Sequence, residues 1–250
     1  MGSRIKIHVE TAWTAMNKAI QREDIVVVVD VLRASTTVVN AFANGAERVY
    51  PVETIREARA MKKENPEILL CGERGGLRPF GFDLGNSPLE YSPELIRGRW
   101  IVMTTTDGTK AMNRARATQR PVLVGACINS DAVATRAFEL ACNLSSGVSI
   151  VAVGRKGDFS LEDFLCAGLI ARKLPEDRCD CSDAALAAIS LIDDENERFL
   201  TLFNGSSHAG ELKEIGLGRD VAFASDIDRF RIVPVLNRGD GYFKLKSSQT

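Results

Sequence analysis

The sequence predicts an α/β fold in which a mainly parallel sheet is covered by helices on both faces. Two observations predict it. Short β-branched runs alternate with amphipathic helical stretches along the 250 residues, and several runs end in a polar turn that opens a helix. These units recur without a fixed period, so a solenoid is not indicated. We interpret the chain as one unit, 1–250, or as two α/β subdomains that meet near 74–100.

The predicted strands share β-branched or apolar residues bounded by turn signals. They are Ile25–Val29, 47–52, 68–71, Trp100–Thr104, 122–125, 148–153 and the extended segments 221–224, 231–236 and 242–246. The predicted helices run from the turn at 33–37 to Ala43, from Thr54 to before Pro66, from the turn at 105–109, from Ser130 to about Asn143, from Ser160 to Arg172, and over 182–192, 194–203 and Ser207–Glu214. The clearest start signal is the capping box of Thr54 and Glu57. The loop at 74–93 is too long for a mere connection, which favours a functional role.

The composition restricts the possible partners. The net charge is −1 with both signs interspersed, so neither nucleic acid nor an anionic membrane is an expected partner, whereas a small anion is. No apolar run is long enough to span a bilayer, and the first residues lack the apolar segment of a secretory signal. Cys179-Asp180-Cys181 is one residue short of a CxxC pair and the chain has two histidines, so zinc is not expected. We expect a cytoplasmic protein.

The first candidate site follows the strand Ile25–Val29. Asp30 closes this strand, and a carboxylate there can bind Mg²⁺ or act as a nucleophile. Arg33 follows it. The hydroxyls of Ser35 and Thr36, with the free N–H groups of the helix start, form an anion cradle. The alternative is that Ser35 or Thr36 caps the helix and that Asp30 pairs with Arg33.

The second candidate site is the run Thr104-Thr105-Thr106-Asp107-Gly108-Thr109. Thr105, Thr106 and Thr109 can donate to phosphate oxygens, and Gly108 permits close approach of the backbone to a ligand. The alternative is that the threonines reflect β-propensity. The GxxxxGK[ST] spacing is absent, so ATP is not indicated.

The third candidate site follows the strand 148–153. Arg155 and Lys156 stand between two glycines and can present two cations to an anion. Glu162 and Asp163 come in the first turn of the next helix, and carboxylate oxygens beside phosphate are what Mg²⁺ prefers. The alternative is that Ser160 and Asp163 form a capping-box-like pair and that the acids complement the helix dipole.

Weaker candidates complete the set. Asn129 could reach a ligand, although capping its helix is the better single interpretation. Arg74 and Asn86 lie on glycine-bounded loops, where polar residues are often functional, although each alone fits solvated loop chemistry. His208 could be a general acid or a helix-start residue, and we favour the second.

Taken together, these segments resemble the 2-phosphosulfolactate phosphatase family. The likeness spans essentially the whole chain, and it rests on residues 30–37 (DVLRASTT), 72–76 (GERGG), 83–88 (DLGNSP), 104–109 (TTTDGT), Gly125-Ala126 with Asn129, and 161–163 (LED) with Cys166-Ala167-Gly168. The resemblance implies a Mg²⁺-dependent hydrolase that removes phosphate from a 2-hydroxy acid carrying a sulfonate. In methanogens that step belongs to coenzyme M biosynthesis. The resemblance also implies two related three-layer α/β/α halves with the site between them.

These observations combine into one hypothesis. Mg²⁺ would bridge the phosphate and two or three of Asp30, Glu162 and Asp163, and Asp30, Arg33 and Glu162 would form the catalytic set. The cations expected to hold a substrate with about four negative charges are Arg33, Arg74, Arg155 and Lys156. Either Asp30 or a water held at the metal would attack, and water is favoured because no second acid follows Asp30 at the Asp-x-Asp spacing.

Two other function classes fit the same residues. A non-enzymatic phospho-ligand-binding or sensor domain would share the anion cradles without needing metal. A phosphotransferase would need a second substrate pocket. A homo-oligomer is a further expectation, since the apolar run at 184–192 could cover a partner.

Overall fold

The computed structural model describes residues 4–193, 197–237 and 239–245. The strands in this part of the chain are β1 Ile5–Glu10, β2 Ile25–Val29, β3 Arg48–Pro51, β4 Leu69–Gly72, β5 Trp100–Thr104, β6 Val122–Val124, β7 Val148–Ala152, β8 Cys179–Cys181, β9 Pro234–Asn237 and β10 Tyr242–Leu245. The helices are α1 Met16–Gln21, α2 Ala34–Ala43, α3 Ile55–Glu64, α4 Pro93–Ile96, α5 Gly108–Ala115, α6 Ser130–Leu144, α7 Leu161–Arg172, α8 Asp183–Ile189, α9 Glu197–Asn204, α10 Ser207–Glu214 and α11 Gly218–Ala224.

The strands form one sheet of ten in the order β4-β5-β3-β10-β9-β6-β2-β7-β1-β8. Strands β4, β5 and β3 are parallel to one another and make the first block. Strands β6, β2, β7, β1 and β8 are parallel and make the second block. The three consecutive pairings β6–β9, β9–β10 and β10–β3 are antiparallel, so the two blocks run in opposite senses. The sheet is mixed and mainly parallel, which confirms the predicted class.

Strand β2 shows why the fold has three layers. All five of its residues are buried, as expected of a strand covered on both sides. Because side chains alternate across a strand, Val27 packs into the core beneath α6 and α7. Its neighbour Val28 packs into a second core with α2 and α5. Helices therefore cover both faces of the second block.

Most predicted elements are confirmed within a few residues. The capping box opens α3: the Glu57 N–H donates to Thr54 Oγ1 at 3.1 Å, and the Thr54 N–H donates to the Glu57 carboxylate at 3.1 Å. The predicted helix over 194–203 begins, in the described residues, at Glu197, and its first three positions lie outside them. Helix α8 ends at Ile189, earlier than predicted. No helix in these ranges is long and apolar enough to cross a membrane.

The prediction of an extended segment at 221–224 is wrong, because these residues belong to α11. Val221 and Ala224 are both fully buried, and residues three apart share one helix face. Asp220, in the first turn of this helix, pairs with Arg33 far away in the chain. A four-residue apolar run does not distinguish strand from helix, and tertiary contacts decide it here.

Candidate active site

A cavity of about 210 Å³ opens where residues that follow strands of both blocks come together. It is smaller than the roughly 300–1,000 Å³ of pockets for drug-sized ligands, which fits a small metabolite. The residues lining it are Asp30, Leu32, Arg33, Glu73, Gly75, Gly76, Asn86, Thr105, Thr106, Asp107, Gly154, Arg155, Lys156, Asp163 and His208.

Asp30 follows β2 and stands at the start of α2. Its Oδ1 accepts a hydrogen bond from the Ala34 N–H at 3.3 Å, and Gly108 of α5 lies directly against it. An ideal Cβ at position 108 would come within 2.3 Å of Asp30 Oδ2, so only glycine leaves room for this carboxylate. Burial raises the pKa of Asp30 to about 7, and the charges of Glu73 and Asp107 act in the same direction. Asp30 is therefore a destabilised anion that a cation would stabilise.

Asp163 fastens the ends of two strands of the second block. Its Oδ1 accepts from the Val31 N–H at 2.7 Å and its Oδ2 from the Gly154 N–H at 3.0 Å. The predicted capping-box pair with Ser160 is wrong, because the ends of β2 and β7 draw the Asp163 carboxylate away from its own helix start. Burial, and then the charge of Asp30, raise the pKa of Asp163 well above its usual range.

Glu162 is only 2% exposed and faces a different neighbour. Its Oε1 accepts from Ser160 Oγ at 2.6 Å and lies 3.3 Å from His208 Nδ1. Burial would raise the pKa of Glu162, but the hydrogen bonds from His208 and Ser160 outweigh it and lower the pKa. His208 stands in the first turn of α10, as favoured from the sequence, and it also lines the cavity.

The carboxylates of the cavity are the groups that could hold the predicted Mg²⁺. Over residues 4–193, 197–237 and 239–245, no three His, Cys, Asp or Glu side chains are grouped so that they could hold a metal ion. The predicted ligands Asp30, Glu162 and Asp163 therefore do not form a three-ligand site, and Glu162 is engaged by Ser160 and His208. Mg²⁺ in phosphoryl-transfer sites commonly takes one or two carboxylates and completes its shell with water and phosphate. The pair Asp30 and Asp163 fits that pattern, and the charge of Asp30 helps to raise the pKa of Asp163.

Arg33 is a buried cation held by a network from three parts of the chain. Its Nη1 donates to Asp220 Oδ2 at 2.6 Å and its Nη2 to the Gly76 carbonyl at 2.7 Å. Ser87 Oγ donates to the other oxygen of Asp220 at 2.7 Å. The alternative pairing of Arg33 with Asp30 is thus wrong. A guanidinium has five N–H donors, so these contacts fix Arg33 in the cavity wall without using all of its donors.

Two loops bring the remaining charged groups to the cavity. After β7, Arg155 pairs with Glu211 of α10, and the Lys156 N–H donates to Asp107 Oδ2 at 2.8 Å. After β4, Glu73 accepts from the N–H groups of Thr106 at 2.7 Å and Gly76 at 2.8 Å. The Lys156–Asp107 and Thr106–Glu73 contacts each join two different loops. The backbone around the cavity is therefore cross-linked by the buried carboxylates of Asp107 and Glu73.

Asn86 lines the cavity with its hydrogen-bonding capacity unused. It is 4% exposed, and its Oδ1 has no hydrogen-bond partner among the residues described. Buried amides are nearly always satisfied, so the unpaired oxygen of a residue that lines the cavity makes Asn86 a candidate for contact with a ligand. Thr106, also in the wall, is partly exposed and makes no side-chain hydrogen bond with the rest of the described chain.

The structure brings part of the predicted set together. The predicted residues that line the cavity are Asp30, Arg33, Asn86, Thr105, Thr106, Arg155, Lys156 and Asp163. Those that lie outside its wall are Ser35, Thr36, Arg74, Thr109, Asn129 and Glu162.

The residues outside the wall have structural partners. Ser35 Oγ donates to the Val28 carbonyl at 3.2 Å, and Thr36 Oγ1 donates to the Val31 carbonyl at 2.8 Å. Both residues are fully buried and lie inside α2, whose N-cap position is occupied by Arg33, so the alternative that Ser35 or Thr36 caps the helix is wrong. Their hydroxyls fix the turn between β2 and α2 and so hold Asp30 in place.

Besides Glu162, the remaining residues outside the wall likewise organise the loops, namely Arg74, Thr109 and Asn129. Arg74 donates to the Glu53 carbonyl at 3.0 Å and to Thr104 Oγ1 at 2.8 Å, which fastens the loop after β4. The Thr109 N–H donates to Thr105 Oγ1 at 3.0 Å at the start of α5. Asn129 stands at the N-cap position of α6, but its side chain does not cap that helix: its Oδ1 accepts from the Ala126 N–H at 2.8 Å instead.

Sequence reasoning missed two residues that shape the site. Glu73 stands beside Arg74 in the glycine-rich loop, and only the arginine is predicted from the sequence as a candidate site residue. Asp220, the partner of Arg33, adjoins a segment assigned to a strand. The glycines around Glu73 were a usable signal, whereas no local pattern reveals a partner 187 residues away in the chain.

Comparison with known proteins supplies the family. The family model described as 2-phosphosulpholactate phosphatase matches residues 13–239. A probable 2-phosphosulfolactate phosphatase of Thermotoga petrophila is 41% identical over 213 residues, which cover 85% of this chain and 89% of the relative. Proteins with the same name are 39% identical in Carboxydothermus hydrogenoformans, covering 90% and 91%, and 39% identical in Deinococcus radiodurans, covering 87% and 89%. With a cavity in which carboxylates face cations, and with this likeness along most of its length, the chain belongs to the 2-phosphosulfolactate phosphatase family.

Proposed function

We propose that this chain is a Mg²⁺-dependent phosphoric monoester hydrolase that converts 2-phosphosulfolactate to 3-sulfolactate and phosphate. The observation that carries the proposal is one small cavity in which Asp30 and Asp163 lie with Arg33, Arg155 and Lys156. The names of the similar proteins support the choice of substrate. The cytoplasmic location, the coenzyme M context and the homo-oligomer stay predictions.

The charges of the cavity suit such a substrate. Phosphate, carboxylate and sulfonate together carry about four negative charges near neutral pH. Arg33 is buried and fixed by its ion pair with Asp220, and therefore presents its remaining donors without losing much conformational freedom on binding. Lys156 is exposed and Arg155 half-buried at the other side of the wall, where they can meet the parts of the substrate nearer solvent.

Asp30 and Asp163 are the residues that would hold Mg²⁺. When bound, the ion would neutralise the charge that develops on the phosphoryl oxygens. Asp163 is suited to this because two backbone N–H groups fix both of its oxygens, while each oxygen keeps a lone pair for a ligand. Asp30 contributes a second carboxylate, and its raised pKa means that a neighbouring cation would favour its ionised form.

Attack on phosphorus is proposed to come from water rather than from Asp30. One oxygen of Asp30 accepts the Ala34 N–H and the other lies against Gly108, so the carboxylate has little freedom to move onto phosphorus and off again. Cross-links from Glu73 and Asp107 hold the surrounding loops in place, which keeps the phosphoryl group and the water aligned. Trapping of a phosphorylated Asp30 in rapid-quench experiments would contradict this step.

The test is phosphate release from racemic 2-phosphosulfolactate, phospholactate and phosphoglycolate at saturating Mg²⁺. The proposal predicts release that favours the sulfonate ester. Equal rates with all three would keep the phosphatase and remove the sulfonate specificity. Binding of the esters without release from any of them would instead support a sensor domain, and release only in the presence of a second hydroxyl compound would support a phosphotransferase.

A further inference from the structure

His208 is the histidine of the cavity wall. It is the second residue of α10, a helix whose N-cap residue is Ser206, and the Ser206 hydroxyl accepts the Ala209 N–H at 3.3 Å. Its side chain is 24% exposed. The ring is therefore carried by a capped helix start rather than by a mobile loop, and it reaches the cavity beside Asp30 and Asp163.

A buried carboxylate orients this ring. His208 Nδ1 lies 3.3 Å from Glu162 Oε1, which Ser160 Oγ fixes from its other side at 2.6 Å. The hydrogen bond made by one ring nitrogen of a histidine determines which of the two nitrogens holds the proton in the neutral ring. With Nδ1 turned to Glu162, Nε2 is left to serve the cavity.

Several of the other charged side chains in the described part of the wall are poorly suited to give a proton to a leaving group, and Asp30 is assigned to the metal under the proposed function. Glu73, Asp107 and Asp163 accept backbone N–H groups and so act as acceptors. Arginines do not release a proton in proteins. The leaving group of the proposed reaction is the alkoxide of a secondary alcohol, which leaves slowly unless it is protonated as its bond to phosphorus breaks.

We propose that His208 is the general acid of the reaction and that Glu162 is the residue that positions it. The assignment rests on the proposed function. The oxygen of the attacking water forms the new bond to phosphorus, and the bond from phosphorus to the ester oxygen breaks with its electron pair going to that oxygen. The ester oxygen takes the Nε2 proton of the His208 imidazolium, which is left as neutral imidazole with its Nδ1–H still directed at Glu162. The proton lost by the water passes to solvent, from which the imidazole is protonated again.

The test compares two substrates that differ in one atom: 2-phosphosulfolactate and its analogue in which sulfur replaces the bridging ester oxygen. A thiolate leaves readily without being protonated, so the analogue does not need a general acid. We expect H208Q to lower kcat for the oxygen ester by about 10²- to 10⁴-fold, the usual contribution of such catalysis. We expect the same variant to hydrolyse the sulfur analogue within about tenfold of the wild-type rate, because a thiolate leaves without a proton and the contribution of the general acid is then absent.

Further variants separate positioning from structure. E162Q should lower kcat for the oxygen ester with KM little changed, and it should spare the sulfur analogue as H208Q does. H8Q is the matched control, since His8 lies in β1 outside the cavity wall and its variant should behave as wild type with both substrates. H208N replaces H208Q if the latter fails to give the wild-type far-UV circular dichroism spectrum.

Three results would overturn the assignment or its premise. Equal losses with both substrates in H208Q would mean that His208 supports the structure of the site and gives no proton to the leaving group. No loss with either substrate would mean that it has no role. If the wild-type protein released phosphate from neither compound, the proposed function itself would fail, and the assignment with it.

Discussion

Replacing Asp30 by asparagine should make the protein more stable and less active. Burial raises the pKa of Asp30 from 3.8 to about 7, so the folded state holds this proton more tightly than the unfolded chain does. Each unit of pKa corresponds to about 1.4 kcal/mol, and the ionised carboxylate therefore costs about 4 kcal/mol of folding free energy above pH 7. The side-chain amide introduced by Asp30→Asn would keep the hydrogen bond from the Ala34 N–H and remove that cost.

The sign of the pH dependence follows from linkage. Between the unfolded and folded pKa values the native state binds more protons, so wild-type stability falls as pH rises from about 4 to about 7 through this group. Asp30→Asn lacks this dependence. The two proteins should be alike near pH 4 and diverge towards pH 7, with the variant more stable by about 2 to 4 kcal/mol, the upper figure applying if the site does not relax.

The assay is urea unfolding in EDTA at several pH values between 4 and 8, followed by circular dichroism. Asp177→Asn, at an exposed carboxylate outside the cavity wall, is the matched control and should show no such divergence. A variant at Asp30 that is less stable than wild type at pH 8, or a difference that does not change with pH, would show that this carboxylate is not held at an energetic cost.

Other substitutions test separate parts of the cavity. Gly108→Ala should lower kcat at least about tenfold and lower the melting temperature, because the new Cβ would lie 2.3 Å from Asp30 Oδ2. Gly210→Ala in α10 is the control and should be neutral or stabilising, because no atom lies within 4 Å of its new Cβ. Equal behaviour of the two variants would contradict the close packing of Gly108 on Asp30. Arg33→Met should cost about 3 to 5 kcal/mol in urea unfolding, because it leaves a buried carboxylate unpaired, and a loss under about 1 kcal/mol would show that the pair is not structurally required. Asn86→Ala should raise KM about tenfold, as expected if the amide NH₂ donates one hydrogen bond to a charged oxygen of the substrate, while stability stays within about 1 kcal/mol. Unchanged KM with a large loss of stability would assign the amide a folding role.

The elements that local pattern determines were predictable. Ile25–Val29 is a continuous β-branched run and forms a central strand, and the Thr54 and Glu57 signal begins α3 where the capping box places it. Asp30 could be named as a site residue because a carboxylate at the end of a buried strand stands where ligands of α/β sheets bind. These features depend on neighbours within a few positions in the sequence.

Most of the features that local patterns did not reveal depend on contacts between distant segments. Asp163 carries the local signal of a capping box, yet its carboxylate is drawn to two strand ends that fold beside it. Asp220 pairs with Arg33 across 187 positions. The hydroxyls of Ser35 and Thr36 resemble an anion cradle in sequence, but the turn that follows β2 uses them for its own carbonyl groups.

The role of Asp30 in a magnesium-dependent phosphatase site is best tested by phosphate release from 2-phosphosulfolactate. Metal-free protein is titrated with Mg²⁺, with wild type and Asp30→Asn side by side. We expect no release in EDTA, restored release in wild type as Mg²⁺ is added, and little or no restoration in the variant even though it is the more stable protein. Loss of activity in a more stable protein cannot be caused by unfolding. Undiminished release in EDTA, or equal restoration in both proteins, would contradict the proposal that Asp30 holds Mg²⁺ in a phosphatase site.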